Sequence, residues 1–156
     1  MRRSIGLSVL LLACACANPS VFARKTVAYA DDTYRSISLG ESPAPGGFER
    51  QRLPESLEEK AWSVMQSRLQ GKDWEFRSMQ GTELLVYFGL GPAPDAREDD
   101  VPPGTFFVDV FERRSGRRVW YGYAEGLTPL TEQNIEQALD QMLLRFPETP
   151  PSPVAY

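Results

Sequence analysis

The chain contains no histidine. That absence excludes Ser-His-Asp and Cys-His catalysis, imidazole acid–base chemistry near neutral pH, and His-ligated zinc. Cysteine is nearly as scarce. The two present, Cys14 and Cys16, both lie in the first segment, so the folded part is expected to have no disulfide and no thiolate metal site. Positive charge is also in deficit: the formal net charge is -4, and Arg2 and Arg3 sit at the very start. A nucleic-acid binder needs a cationic face to neutralise phosphates, so this balance argues against a nucleic-acid partner. It gives no general attraction to anionic lipid either. Long hydrophobic runs are missing too. Ile5 to Ala17 is almost wholly apolar or small, shorter than the roughly 20 residues that a spanning helix needs.

What is there is a positive start, Met1-Arg2-Arg3, leading into that apolar stretch. The pattern is a secretory signal with a small-residue end, here assigned to residues 1–23. Two cleavage readings stay open. Leu11-Leu12-Ala13-Cys14 resembles a bacterial lipobox, with Cys16 as a second acceptor. Cutting before either cysteine would free a thiol for acylation, and the acyl chains would hold the domain on a membrane. Neither Ala15 nor Ala17 is the aspartate associated with inner-membrane retention, so an acylated chain is expected at the outer membrane. Alternatively, Val21-Phe22-Ala23 is an ordinary small-residue cut and the product is soluble in the periplasm.

The length suits one domain beside that signal, assigned to residues 24–147. Thr33 to Leu39 alternates and predicts a strand. Gly40 to Pro54 is a Gly- and Pro-rich loop. Ser56 to Gln70 predicts a helix, with Ser56 and Glu59 as a capping box and Gly71 as a left-handed C-cap. Its apolar face is Leu57, Ala61, Val64, Met65 and Leu69, with Trp62 beside it as core. Trp74 to Met79 and Glu83 to Leu90 predict strands. Gly91 to Gly104 is a long acidic loop. Thr105 to Arg113 and Arg117 to Glu125 form a hairpin around Arg114-Ser115-Gly116. Thr131 caps a last helix running to Phe146, and residues 148–156 are a proline-rich tail expected to be disordered. Together these elements predict an α+β fold: a mainly antiparallel sheet of about five strands with two helices on one face.

The run Gly104 to Phe111, a turn at Ser115-Gly116, then Val119-Trp120-Tyr121-Gly122-Tyr123-Ala124 resembles domain of unknown function 4136 (DUF4136), found in bacterial envelope lipoproteins. Thr33-Tyr34, Thr82 to Val86 and Arg145-Phe146-Pro147 extend the resemblance over residues 27–147. It implies a sheet packed on helices and no known reaction.

Few residues suggest chemistry. Asp95, Glu98, Asp99 and Asp100 lack the ligand spacing of a calcium hand and read as a solvated loop. Asp109, inside an apolar strand, is either an acid–base group or a tie to a neighbouring amide or arginine. Arg113, Arg114, Arg117 and Arg118 cluster at the hairpin tip, where they either hold an anionic partner or keep a strand end soluble. Tyr121 and Tyr123 share one strand face, and exposed aromatics anchor interfaces. No cofactor or metal is called for. The expectation is a non-catalytic envelope accessory protein that binds an envelope protein or wall component, tethered to a membrane if acylated. The alternatives are a periplasmic small-ligand or lipid carrier with a pocket between sheet and helices, and a carboxylate-based wall hydrolase.

Overall fold

The computed structural model describes residues 19–31, 33–41, 44–45, 50–91 and 104–150. Cys14, Cys16, the acidic loop Asp95 to Asp100 and the end of the tail lie outside the described residues. Strands β1 (Ser20–Lys25), β2 (Ser36–Leu39), β3 (Glu75–Phe76), β4 (Leu84–Leu90), β5 (Phe106–Glu112) and β6 (Arg118–Glu125) form one sheet in the order β1-β6-β5-β4-β2-β3. Helices α1 (Glu55–Gln70) and α2 (Glu132–Leu143) complete an α+β fold.

The sheet is mainly antiparallel, as expected, with a short parallel portion at one edge. β1, β6, β5 and β4 pair antiparallel, whereas β2 runs parallel to both β4 and β3. Parallel neighbours need a crossover, and α1 supplies it between β2 and β3. The additional strand, β1, comes from Ser20–Lys25 and pairs along its whole length with β6. It was hidden because residues 20–23 read as the end of a leader.

Alternation sorts the side chains as the spacing predicts. Phe106, Val108 and Val110 of β5, Trp120 and Ala124 of β6, and Val86 and Phe88 of β4 join the helix residues Ala61, Met65, Leu69, Ile135, Leu139 and Met142 in one core. Gly122 belongs to this face. A Cβ there would meet Met142 Sδ at 3.0 Å, Trp120 Cη2 at 3.1 Å and Ala23 Cβ at 3.2 Å, so the missing side chain lets α2 close on the sheet. Salt bridges from Lys60 and Arg68 of α1 to Glu136 and Asp140 of α2 lie at the surface of the helix pair, where each contributes little.

Several local expectations are corrected. α1 begins at Glu55, its N-cap is Pro54, and no side chain caps it. The Pro54 carbonyl accepts from the amides of Leu57 and Glu58, so the Ser56–Glu59 box is not formed. Gly71 keeps a right-handed conformation, and the positive φ of 61° falls on Asp73. Trp62 is half-buried, edge-on to Phe76, and outside the central core. Thr131 does cap α2, accepting from the Asn134 amide at 3.2 Å. α2 stops at Leu143, yet Phe146 remains core because it packs edge-on against Trp74 and Trp120. The Trp74 indole donates to the Pro147 carbonyl at 3.0 Å, and Thr149 Oγ1 donates to the Lys72 carbonyl at 3.0 Å. The tail is thus held as far as Thr149.

Candidate functional site

The face of the sheet away from the helices carries Phe107, Asp109 and Phe111 of β5, Tyr121 and Tyr123 of β6, and Phe22 and Arg24 of β1. It is not an open aromatic ribbon. Tyr121 is 1 % exposed and Phe107 0 % exposed. The guanidiniums of Arg118 and Arg24 lie 4.4 and 5.3 Å from the Tyr121 ring centre, and that of Arg50 lies 3.6 Å from the centre of Phe107. Tyr123 is half-buried, stacked on Phe22 at 5.1 Å and tilted against Phe107 at 5.5 Å. The expectation of Tyr121 as an interface anchor is therefore corrected: cations and rings already cover it.

Asp109 sits at the centre of this face with a side chain only 4 % exposed. It accepts from Arg50 Nε and Nη2 and, at 3.2 Å, from Arg118 Nη1. Of the two readings for this buried acid, the tie to arginine is the one formed. Strict alternation from Trp120 would turn Arg118 toward the helices. A bulge prevents this: Val110 pairs with Trp120 but Phe111 with Arg118. The extra residue, Val119, turns into the core and Arg118 is re-aimed at Asp109. Sequence reasoning missed this triad because Arg50 lies in a loop with no periodic signal. The space beside it, between Gly40, Tyr87, Arg50 and Asp109, is about 30 Å³, room for one or two waters.

The hairpin end is different. Arg113, Arg114 and Arg117 are exposed there. Arg113 Nε donates to the Thr82 carbonyl at 2.7 Å. Among the described residues the side chains of Arg114 and Arg117 make no hydrogen bond or ion pair. Beside them lies a depression of about 220 Å³ lined by Thr33, Tyr34, Thr82, Glu83, Glu112, Arg113 and Arg114. Both of its carboxylates are engaged. Glu83 Oε2 accepts from the amides of Arg35 and Ser36 and from Ser36 Oγ, at 2.6, 3.0 and 3.1 Å. Burial pushes the Glu83 carboxyl up, but these three donors together hold it below the ordinary carboxylate value. The carboxylate stands in for the ladder carbonyl that β2 lacks before β4 begins. Glu112 accepts from Ser115 Oγ, and its charge lies close to the Tyr34 hydroxyl. Burial and then the Glu112 charge push the Tyr34 phenol above its usual value.

The six expected interaction residues thus divide. Arg113, Arg114 and Arg117 share the exposed hairpin end, whereas Arg118, Tyr121 and Tyr123 build the covered face. Among the described residues no group of acidic side chains could hold a metal ion, and no helix is long and apolar enough to cross a membrane.

No protein-family model matches the chain, and no curated protein matches its sequence. Solved structures do share its architecture. A DUF4136-family protein from Bacteroides thetaiotaomicron superposes with a TM-score of 0.58 at 11% identity, covering 81% of this chain and 95% of that one. A PDZ domain protein from Parabacteroides distasonis gives a TM-score of 0.50 at 14% identity, over 85% of this chain but only 37% of its own. The chain therefore has the fold of a DUF4136 protein, as its hairpin and closing-helix motifs suggested.

Proposed function

We propose that this chain is a cell-envelope accessory protein, tethered through an acylated Cys14 or Cys16, that binds another envelope component with its hairpin end. The observation that carries the tether is β1. A cut after Ala23 would remove Ser20 to Ala23, four of the six residues of this strand, together with the buried Ala23 methyl and the Phe22 ring stacked on Tyr123. A leader ending before Cys14 or Cys16 keeps the strand whole.

The tether also sets an orientation. Ser20 pairs with Glu125 and Lys25 with Trp120, so β1 starts at the end of the sheet opposite the β5–β6 turn. Cys16 precedes Ser20 by four residues, at most about 14 Å of extended chain. The arginine-bearing end then stands roughly 25 Å further out, the length of β6. Cations on that end meet the space beyond the membrane rather than the lipid beneath it, and Arg114 and Arg117 are available for an anionic partner.

The test is the intact mass of the mature protein from membrane and soluble fractions, with capture of cross-linked partners by wild type and Arg117→Glu. A chain starting at Cys14 or Cys16 with added acyl mass, and capture lost in Arg117→Glu, are expected. A bare chain starting at Arg24, or capture indifferent to Arg117→Glu, overturns the reading.

A further inference from the structure

We propose that the depression at the hairpin end is a binding site for a sugar acid, a single pyranose ring bearing one carboxylate; this rests on the reading that this end faces outward from the membrane. Size sets the first limit. At about 220 Å³ the space falls below the roughly 300–1,000 Å³ of clefts that bury drug-sized ligands. It suits one small ring.

The lining sets the chemistry. Its uncommitted charge is cationic: Arg114 is unpaired among the described residues, and Arg113 uses only Nε, leaving its terminal nitrogens to donate. A planar guanidinium matches a carboxylate with paired N–H donors. The rest of the lining accepts. Thr82 Oγ1 already gives its proton to the Leu84 carbonyl at 3.2 Å, and Thr33 Oγ1 gives its own to the Asp31 carbonyl at 3.3 Å. Glu83 and Glu112 carry spare lone pairs. A cationic rim beside a set of acceptors suits a ligand with one anionic group and several hydroxyl donors. The same two carboxylates disfavour a phosphorylated ligand, because a dianion meets their repulsion twice over. Glu83 strengthens that selection. Its carboxyl is fixed on backbone amides and stays charged rather than picking up a proton to admit a second negative charge.

Such a ring has two sources outside a membrane, wall glycan whose muramic carboxyls have been freed of their peptides and an acidic secreted polysaccharide. The mature full-length protein, purified from membranes in detergent, should be titrated calorimetrically with N-acetylmuramic acid, glucuronic acid, N-acetylglucosamine, glucose and glucose 6-phosphate. Each acid is expected to bind at least about tenfold tighter than its neutral counterpart and than the phosphate ester. Preference for the muramic acid assigns the wall source, preference for glucuronate the secreted one, and both support the site. Arg114→Gln, an exposed change, should weaken the acid by about tenfold and leave the thermal midpoint unmoved. Equal binding of acidic and neutral sugars, tighter binding of the phosphate, no binding of any sugar, or an Arg114→Gln variant that binds like wild type overturns the inference. Failure here with the acyl mass and partner capture intact removes the sugar site alone and leaves the tethered accessory protein standing.

Discussion

Replacing Asp109 with alanine should destabilise the domain by about 3–5 kcal/mol, the range for breaking a buried ion pair by removing one partner. The carboxylate is 4 % exposed and the side chains of Arg50 and Arg118 are 11 % and 17 % exposed. Both guanidiniums point at the same acid. Without it, two like charges face each other in a poorly solvated layer between the rings of Phe107 and Tyr121. A loss of about 3 kcal/mol is a large part of the roughly 5–15 kcal/mol of a typical domain, and should lower the thermal midpoint by roughly 10 °C. Urea unfolding followed by tryptophan fluorescence measures it. High salt should rescue little, since buried pairs are weakly screened. The joint replacement Arg50→Met, Asp109→Leu, Arg118→Met should recover most of the loss, because an apolar trio removes the desolvation cost of all three charges. An Asp109→Ala variant within about 0.5 kcal/mol of wild type, the range of a neutral surface change, would refute the reasoning.

Glu83 predicts a pH dependence. Its carboxyl is held below the ordinary value, so its contribution is full above that value and is lost as pH falls through the lowered one. Glu83→Gln should flatten the acid limb of a stability–pH curve below about pH 4.5, and an unchanged limb would count against the amide-bound carboxylate. A variant starting at Arg24 should melt lower and self-associate through the uncovered β6 edge, whereas one starting at Ala17 should not; sedimentation and calorimetry compare them. Gly122→Val should cost about 1–3 kcal/mol by overpacking against Met142, Trp120 and Ala23, read from the urea midpoint.

Where local spacing governs, the sequence was legible. Ile135, Ala138, Leu139 and Met142 recur at helical intervals and are buried as that period demands. Phe106, Val108 and Val110 alternate with Phe107, Asp109 and Phe111, and the two sets occupy opposite faces. The turn at Ser115-Gly116 was also readable, since Gly116 takes φ 67°. The cap of α1 was not. Ser56 and Glu59 have the spacing of a box, but Pro54, with its fixed φ and a carbonyl that accepts from the Leu57 and Glu58 amides, starts the helix one residue before Ser56.

Of the candidate site, the sequence indicated the arginines but not their division. Arg113, Arg114, Arg117 and Arg118 are four similar cations within six residues. Only the bulge at Val119 separates Arg118 from the rest and turns it to Asp109. Similarly, Thr33-Tyr34, Thr82-Glu83 and Glu112 to Arg114 are distant in sequence and line one depression because β2, β4 and β5 are neighbours in the sheet.

The sequence by itself determined the helices, the hairpin, the two-faced pattern of β5 and the α+β class, because each rests on a period of two or 3.6 residues that a short window contains. Tertiary structure alone decided that Ser20–Lys25 is an edge strand, that β2 pairs parallel, that Asp109 is clamped by Arg50 and Arg118, and that Glu83 closes the start of β2. Each of these depends on a partner far away in the chain, and no local pattern specifies which distant group will satisfy a buried charge or an unpaired amide.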